Sequence, residues 1–375
     1  MKARKILSLD GGGVRGVVSL AFLLRLEKLL AERTSQAVRL CDSFDLIGGT
    51  STGAIIATAL ATGMSAGDIK DFYFQLAPKV FAKSRFKLFG FQHVFDGNRL
   101  RSEIRNILGD MPLESDRLLT GLAIVTKRAD TGSAWIVTNN PRAKYWDDPA
   151  DGSYIGNRHL SVVDLVRAST AAPHYFAPEQ IPIVEGMPPG LFVDGGVTPH
   201  NNPALALFQL VGIPAYGYGW PLSADDLSIL SLGTGSFRQK VDVKTVRSLP
   251  AIVLAIRGLS GLIQDCERSV LTTMQMLGRT PAPVHINSEI GDLSDARTAA
   301  PLFTFQRYDL ELDQNWIAER LGLSLSEKEL KALQKMDNPE IVPLIFDLAE
   351  SAAEALVKPE HIDLFVNDTN QQGIT

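Results

Sequence analysis

Ser51 lies at the centre of the pentapeptide Gly-Thr-Ser-Thr-Gly, residues 49–53. A mostly apolar run at 44–48 precedes the pentapeptide and a helix-favouring run follows it, which is the strand, turn and helix that a nucleophile elbow requires. Gly49 and Gly53 let the backbone turn tightly, and the N-terminus of the following helix favours negative charge beside the hydroxyl. We therefore predict that Ser51 is a nucleophile; a glycine-rich turn with an inert serine is the alternative.

A second glycine-rich segment, residues 10–16, lies between the first predicted strand and the first predicted helix. Its Gly-x-Gly-x-x-Gly spacing matches a dinucleotide fingerprint, but the acidic residue expected about 20 positions later would fall inside that helix. The segment also lacks the Gly-Lys-Ser/Thr of a P-loop. The successive amides of Gly11, Gly12 and Gly13 at a helix N-terminus instead predict an oxyanion hole. Arg15 is expected to fix this loop or to contact an anionic head group, and a plain tight turn is the alternative.

The serine needs a base within hydrogen-bonding reach, and histidine is the usual one. None of the six histidines lies in a compelling context for that role: His93, His159, His174, His200, His285 and His361. Asp194 does, because it ends an apolar strand before two glycines, at the carboxyl edge of the sheet where Ser51 is also expected. This placement predicts a two-residue Ser–Asp device, with an Asx turn as the alternative.

Four motifs occur in a fixed order, at residues 10–16, 49–53, 168–176 and 194–203, and residues 230–235 add a fifth. With this order and spacing over residues 5–236, the chain resembles the patatin-like phospholipase family, as a stand-alone bacterial patatin domain. The resemblance implies a catalytic dyad of Ser51 and Asp194, oxyanion donors in the glycine loop and no catalytic histidine. It also implies a calcium-independent acyl hydrolase, of the phospholipase A or lysophospholipase type, that cleaves fatty acyl esters of membrane glycerolipids with neither a metal nor a cofactor.

Strands and helices alternate along the chain. Strands are predicted at 6–9, 118–126, 134–138, 191–193, 228–232 and 283–286, and the elbow strand and helix share 44–62. Further helices are predicted at 17–31, 65–81, 99–108, 162–169, 204–210, 250–277, 326–336 and 339–357. This alternation predicts an α/β three-layer sandwich with a mostly parallel central sheet. No repeat or linker divides residues 1–375, so we expect a single domain with a motif-bearing core at 5–236 and a helical extension at 240–375.

The composition is that of an ordinary globular protein, since 45% of the 375 residues are hydrophobic and the formal net charge is −5. The negative charge argues against a nucleic-acid partner. No run of about 18 uncharged apolar residues is present, so membrane contact is expected to be peripheral. The two cysteines, Cys41 and Cys266, have no metal or disulfide spacing and fit a reducing cytoplasm.

Two segments bear on substrate access. The basic and aromatic segment at 83–97 is predicted either to dip into anionic lipid or to pack on the domain. The apolar helix at 250–277 is predicted either to form a lid or acyl-chain wall or to belong to the core.

Other functions stay open from the residues alone. The same chemistry fits a soluble thioesterase, a non-specific esterase or an acyltransferase. Some bacterial members of the family are phospholipases that a cyclic-nucleotide second messenger activates in anti-phage defence, and a chain of this length is compatible with that regulation. A non-enzymatic binding module would need a broken dyad, and both positions are intact. Self-association into a homo-oligomer is compatible with each of these functions.

Overall fold

The computed structural model describes residues 3–81, 94–237, 249–296 and 298–365. In these ranges a central sheet is formed by β1 (Arg4–Leu9), β2 (Leu46–Thr50), β3 (Gly121–Arg128), β4 (Ser133–Thr138), β5 (Glu179–Ile181), β6 (Gly190–Asp194), β7 (Leu227–Leu232) and β8 (Thr304–Tyr308). The order across the sheet is β5-β6-β3-β2-β1-β7-β8, and β4 also pairs with β3. Along the part of the sheet ordered β3-β2-β1-β7-β8, neighbouring strands pair in parallel. The pairs that involve β4, β5 and β6 are antiparallel. The predicted mostly parallel α/β sheet is confirmed.

Helices cover both faces of this sheet. The described helices are α1 (Val17–Thr34), α2 (Leu40–Ser43), α3 (Thr52–Ala61), α4 (Ala66–Val80), α5 (Gly97–Leu108), α6 (Val162–Ser169), α7 (Ala204–Gly212), α8 (Ala251–Leu277), α9 (Gln314–Leu321), α10 (Glu327–Leu333), α11 (Val342–Leu356) and α12 (Pro359–Ile362). In β1, Leu7 and Leu9 pack into the larger core with α1, α3, α4 and α11, whereas Ile6 packs into a second core with α7 and α8. Successive strand residues point to opposite faces, so the two cores lie on the two sides of the sheet and the predicted three layers are confirmed.

Strand β3 brings two distant parts of the chain together. β2 pairs with the first part of β3 and ends with Thr50 opposite Val125. β6 runs the other way along the last part of β3 and ends with Asp194 opposite Thr126. β4 occupies the opposite edge of β3 along both parts, so β2 and β6 share one edge and their carboxyl ends meet there. The residues that follow these two ends are therefore neighbours in space.

Most predicted elements are present to within a few residues, but the part of the chain after residue 240 differs from the expectation. The predicted strand at 283–286 was wrong, because these residues form no regular structure. A segment expected to be helical supplies β8, which pairs in parallel with β7. The strand was not predicted because two buried polar residues, Gln306 and Arg307, interrupt the apolar pattern of β8. Because β8 and α11 pack with the motif-bearing part, we propose that the segment after residue 240 belongs to the same domain as the core.

The two predicted access segments have different outcomes. Residues 82–93, which include most of the segment at 83–97, lie outside the described residues. Phe95 is buried and packs against the rings of Phe81 and Phe176. The predicted helix at 250–277 is the single helix α8. None of the helices in the described ranges has the length and apolar character needed to cross a membrane.

Candidate active site

The turn after β2 holds Ser51 in a strained backbone conformation. Its φ is +55° and its ψ is −124°, a region that residues with side chains rarely adopt and that is typical of a nucleophile elbow. The flanking glycines are required by contact, because a Cβ on Gly49 would collide with the backbone of Gly53, and one on Gly53 would collide with the carbonyl of Leu9. This turn places Ser51 in the wall of a large cavity.

Ser51 and Asp194 are in direct contact. Ser51 Oγ donates a hydrogen bond to Asp194 Oδ2 at 2.7 Å. Asp194 Oδ1 accepts a hydrogen bond from the amide of Gly196, also at 2.7 Å. One carboxylate oxygen is thus anchored to the turn after β6 and the other faces the serine hydroxyl. This is the geometry of a base poised to accept the serine proton.

The surroundings of Asp194 change its acidity. The residue is only 4% exposed, and burial raises the pKa of its carboxyl from 3.8 to about 6. The Gly196 amide, the Ser51 hydroxyl and the charge of Arg167 each lower that pKa, but by less than burial raises it. A carboxylate with a raised pKa accepts a proton more readily than an exposed aspartate and is still mostly ionised at neutral pH.

Ser169 supports the elbow from the motif at 168–176. Its Oγ accepts a hydrogen bond from the amide of Ser51 at 2.8 Å and donates one to the carbonyl of Val125 at 2.6 Å. The hydroxyl therefore ties Ser51 to β3, the strand that also pairs with the end of β6 at Asp194.

The glycine loop after β1 lies beside the elbow, but its three amides are not equivalent. The Gly11 amide donates to the carbonyl of Asn201 at 3.0 Å, so it is already occupied. The Gly12 amide makes a longer bond of 3.2 Å to Thr52 Oγ1. The Gly13 amide makes no hydrogen bond within the described structure. The Gly11 amide therefore serves the loop itself, whereas the Gly12 amide is held by a longer bond and the Gly13 amide is open. The oxyanion role predicted for the three amides stays a prediction.

Neighbours on all sides fix the loop. Thr234 Oγ1 donates to the carbonyl of Gly11 at 2.9 Å, and the hydroxyl of Tyr73 donates to the carbonyl of Gly13. Gly13 has a φ of +60°, which favours glycine. A Cβ on Gly12 would collide with Thr234, and one on Gly13 would collide with the carbonyl of Met336. Each glycine therefore allows an approach that no other residue permits.

Arg15 lines the same cavity with an incompletely paired guanidinium. The residue is 7% exposed, and its Nε and Nη1 atoms have no hydrogen-bond partner within the described structure. The guanidinium carbon lies 5.3 Å from the centre of the Phe237 ring, and burial lowers the pKa of the group. A buried cation with free donors at a cavity wall fits a bound anion.

The cavity has a volume of about 1180 Å³ and is large enough for a lipid chain. Its apolar wall includes Ile55, Leu76, Val80, Phe81, Phe176, Ile263 and Leu271. His285 is the one of the six histidines that lines the cavity in the described ranges. It is not the partner of the serine, because the Ser51 hydroxyl donates its hydrogen bond to Asp194. Across the described ranges, no group of three or more His, Cys, Asp or Glu side chains is placed to hold a metal ion.

Comparison with known proteins agrees with this architecture. The family model described as patatin-like phospholipase matches residues 7–208, more than half of the chain. The chain belongs to the patatin-like phospholipase family. One relative, Patatin-like protein 4 of Arabidopsis thaliana, is 32% identical over 254 residues, which cover 63% of this chain and 60% of the relative.

Two bacterial relatives of the chain carry the name cGAMP-activated phospholipase. The one from Escherichia coli (strain TW11681) is 28% identical over 236 residues, covering 61% of this chain and 62% of the relative. The one from Vibrio cholerae is 26% identical over 281 residues, covering 72% and 73%. The chain therefore spans less than two thirds of the length of Patatin-like protein 4 and of the Escherichia coli relative.

Three residues that contact the patatin-like site were not identified from the sequence: Ser169, Thr234 and Met336. Ser169 and Thr234 lie inside the quoted motifs at 168–176 and 230–235, where a hydroxyl flanked by small residues was the available signal. Met336 contacts the loop through its backbone, since its carbonyl accepts from the amide of Val14 at 2.9 Å. No side-chain pattern signals a contact of that kind.

Proposed function

We propose that this patatin-like protein is a calcium-independent lipid acyl hydrolase of the phospholipase A or lysophospholipase type, with Ser51 as nucleophile and Asp194 as base. The observation that carries the proposal is the 2.7 Å hydrogen bond from Ser51 Oγ to Asp194 Oδ2 in the wall of an apolar-lined cavity. Membership of the patatin-like phospholipase family supports it.

In the proposed reaction, Asp194 Oδ2 accepts the hydroxyl proton while Ser51 Oγ attacks the carbonyl carbon of an acyl ester. The carbonyl oxygen becomes an oxyanion and is stabilised by the amides of Gly12 and Gly13, the former exchanging its long bond to Thr52. Asp194 then gives the proton to the departing alcohol oxygen, and the acyl group stays on Ser51. Water attacks this acyl-enzyme with Asp194 as base, which releases the fatty acid and restores the serine.

The two ends of a glycerolipid match different parts of the cavity. The acyl chain fits the apolar wall that α4 and α8 contribute, where Val80 and Leu271 lie. The unpaired donors of Arg15 fit the phosphate of a head group. Because glycerolipids reside in bilayers, we propose that the protein acts peripherally at a membrane surface.

Product analysis tests this function. Phosphatidylcholine and phosphatidylglycerol vesicles incubated with the protein are expected to yield free fatty acid and lysophospholipid by mass spectrometry. Val80→Phe, which fills part of the cavity, is expected to lower the release of long acyl chains at least about tenfold while a soluble butyrate ester is still cleaved. Val163→Phe is the matched control, because Val163 is also buried, in α6, but does not line the cavity. Cleavage of thioesters or soluble esters with no lipid product would instead favour the thioesterase or esterase function.

Regulation by a cyclic nucleotide is the second candidate. The observation that favours it is the name of the two bacterial relatives, cGAMP-activated phospholipase. Under this alternative the same vesicle assay shows no product until cGAMP is added. Equal product with and without cGAMP would exclude activation by that nucleotide.

The acidity of Asp194 predicts the pH dependence of the reaction. As a base, Asp194 must be ionised, and burial raises its pKa to about 6. We therefore expect kcat/KM for a soluble ester to fall about tenfold for each pH unit below this value and to level off above it. The charge of Arg167 lowers this pKa, so Arg167→Gln is expected to move the acid limb to higher pH. An acid limb near pH 4 in the unsubstituted protein would contradict the assignment of Asp194 as the base.

A further inference from the structure

Arg307 is a buried cation at the centre of a polar cluster behind the glycine loop. It lies on β8, outside the segment that matches the family model. Its Nη2 donates to Asp10 Oδ2 at 2.7 Å, and its Nη1 donates to Ser231 Oγ at 2.8 Å. The side chains of Arg307 and Asp10 are both 2% exposed. The pair is therefore shielded from water, where a mismatched charge is costly.

One contact of Arg307 leads directly to the glycine loop. Asp10 is the residue that precedes Gly11, and its backbone amide donates to the carbonyl of Leu232 at 3.1 Å. Its side chain is held by Arg307 through Oδ2, while Oδ1 has no hydrogen-bond partner in the described structure. Arg307 thus supplies the side-chain restraint at the start of the loop.

A second route reaches the loop through Asp309. Arg307 Nη2 lies 3.3 Å from Asp309 Oδ2, and Asp309 Oδ1 accepts from the amide of Gly235 at 2.8 Å. The neighbouring residue, Thr234, donates to the carbonyl of Gly11. Both routes therefore end at residues 10 and 11, immediately before the two amides proposed to stabilise the oxyanion.

Arg307 also contacts the cavity wall. Its Nη2 lies 3.0 Å from Glu267 Oε1, on α8. Burial raises the pKa of Glu267 and the pKa of Asp10. One guanidinium thus holds the carboxyl groups of the residue after β1, of α8 and of the residue after β8, and fixes α8 relative to the loop.

We propose that Arg307 is a positioning residue for the oxyanion loop. It acts chiefly through Asp10, its shorter contact at 2.7 Å against 3.3 Å to Asp309, to hold the Gly12 and Gly13 amides in place. The inference rests on the proposed function, because it assumes that these amides stabilise the oxyanion. It adds to that function a residue from the far end of the chain. A lysine cannot replace the arginine, because one ammonium cannot reproduce the planar fork that reaches Asp10 and Ser231 together.

A double-mutant cycle in the full chain tests the proposal. Arg307→Lys, Asp10→Asn and the double variant are compared by kcat and KM for p-nitrophenyl butyrate and by the rate at which a fluorophosphonate labels Ser51. Arg101→Lys is the matched control, since Arg101 pairs with two carboxylates, Asp164 and Glu179, but does not line the cavity.

Each single variant is expected to lose about 10²-fold in kcat, the cost of a small misplacement of catalytic groups. KM should change by less than about threefold, because the loop acts on the transition state. The double variant should lose little more than either single variant, because the two residues act in series. Fluorophosphonate labelling should slow in parallel, and Arg101→Lys should keep its kcat within about twofold.

Two results would overturn the proposal. A wild-type kcat in Arg307→Lys would show that the loop does not depend on the arginine, and additive losses in the double variant would show that Arg307 does not act through Asp10. If Arg307→Lys does not fold, Asp10→Asn decides alone, and a wild-type kcat there counts against the proposal. Failure of the proposed function is distinguishable in the unsubstituted protein. Without the proposed nucleophile it would neither cleave the ester nor be labelled at Ser51, and as a soluble esterase it would do both but give no lipid product.

Discussion

Ser51→Ala and Asp194→Asn are each expected to lower kcat for ester hydrolysis on the order of 10⁴-fold or more. Alanine removes the attacking oxygen. Asparagine keeps the size of Asp194 and an acceptor for the Gly196 amide, but it cannot take the proton that Ser51 releases. Because the two residues share one proton transfer in the proposed mechanism, the double variant should be hardly less active than either single variant.

The chain contains a matched control for this experiment. Ser223 Oγ donates to Asp226 Oδ2 at 2.7 Å, the same pairing at the same distance as in the dyad, but neither residue lines the cavity. Ser223→Ala and Asp226→Asn should therefore leave kcat unchanged. Initial rates and circular dichroism on all four variants give the comparison. Substantial turnover in folded Ser51→Ala or Asp194→Asn would refute the dyad.

Gly12→Ala is expected to lower kcat by about 10²- to 10³-fold, the usual cost of losing an oxyanion donor. The added Cβ would collide with the side chain of Thr234. Thr234 cannot retreat freely, because its hydroxyl holds the carbonyl of Gly11. The loop must move instead, and the Gly12 and Gly13 amides move with it away from the oxyanion.

Gly67→Ala is the corresponding control. Gly67 lies in the first turn of α4, and a Cβ there would meet only Ser65 Oγ, at an ordinary contact distance of 3.6 Å. Alanine favours a helix over glycine, so this variant should be active and slightly more stable, by up to about 1 kcal/mol. Steady-state kinetics and thermal unfolding measure both effects. A wild-type kcat in Gly12→Ala would show that the Gly12 amide does not contribute to the proposed oxyanion hole.

The sequence was sufficient to predict the elements that meet at the site. Ser51 and Asp194 each follow an apolar strand and are flanked by glycines, and this local pattern is enough to place both at strand ends. Their contact further depends on β3, where β2 and β6 end at adjacent positions, Val125 and Thr126. Strand pairing between segments so distant in sequence is not encoded in any local pattern.

Other features could not be predicted for identifiable reasons. The occupied amide of Gly11 depends on a backbone contact with Asn201, which residue types do not reveal. Arg307 lies in a strand that its polar residues made unrecognisable from the sequence. Its partner Asp10 is 297 positions away. A buried ion pair between such distant residues is visible only in three dimensions, because either residue alone would be expected at the surface.

The anchoring of the glycine loop has a consequence for biosynthesis. The loop leaves the ribosome well before the groups that fix it, which are Thr234, Arg307 and the carbonyl of Met336. A nascent chain can carry Ser51 and Asp194 and still lack the proposed oxyanion hole. If the proposed function holds, we therefore expect ester cleavage to begin only when the chain has been made beyond Met336 and this part has docked, so that a shorter nascent chain is inactive.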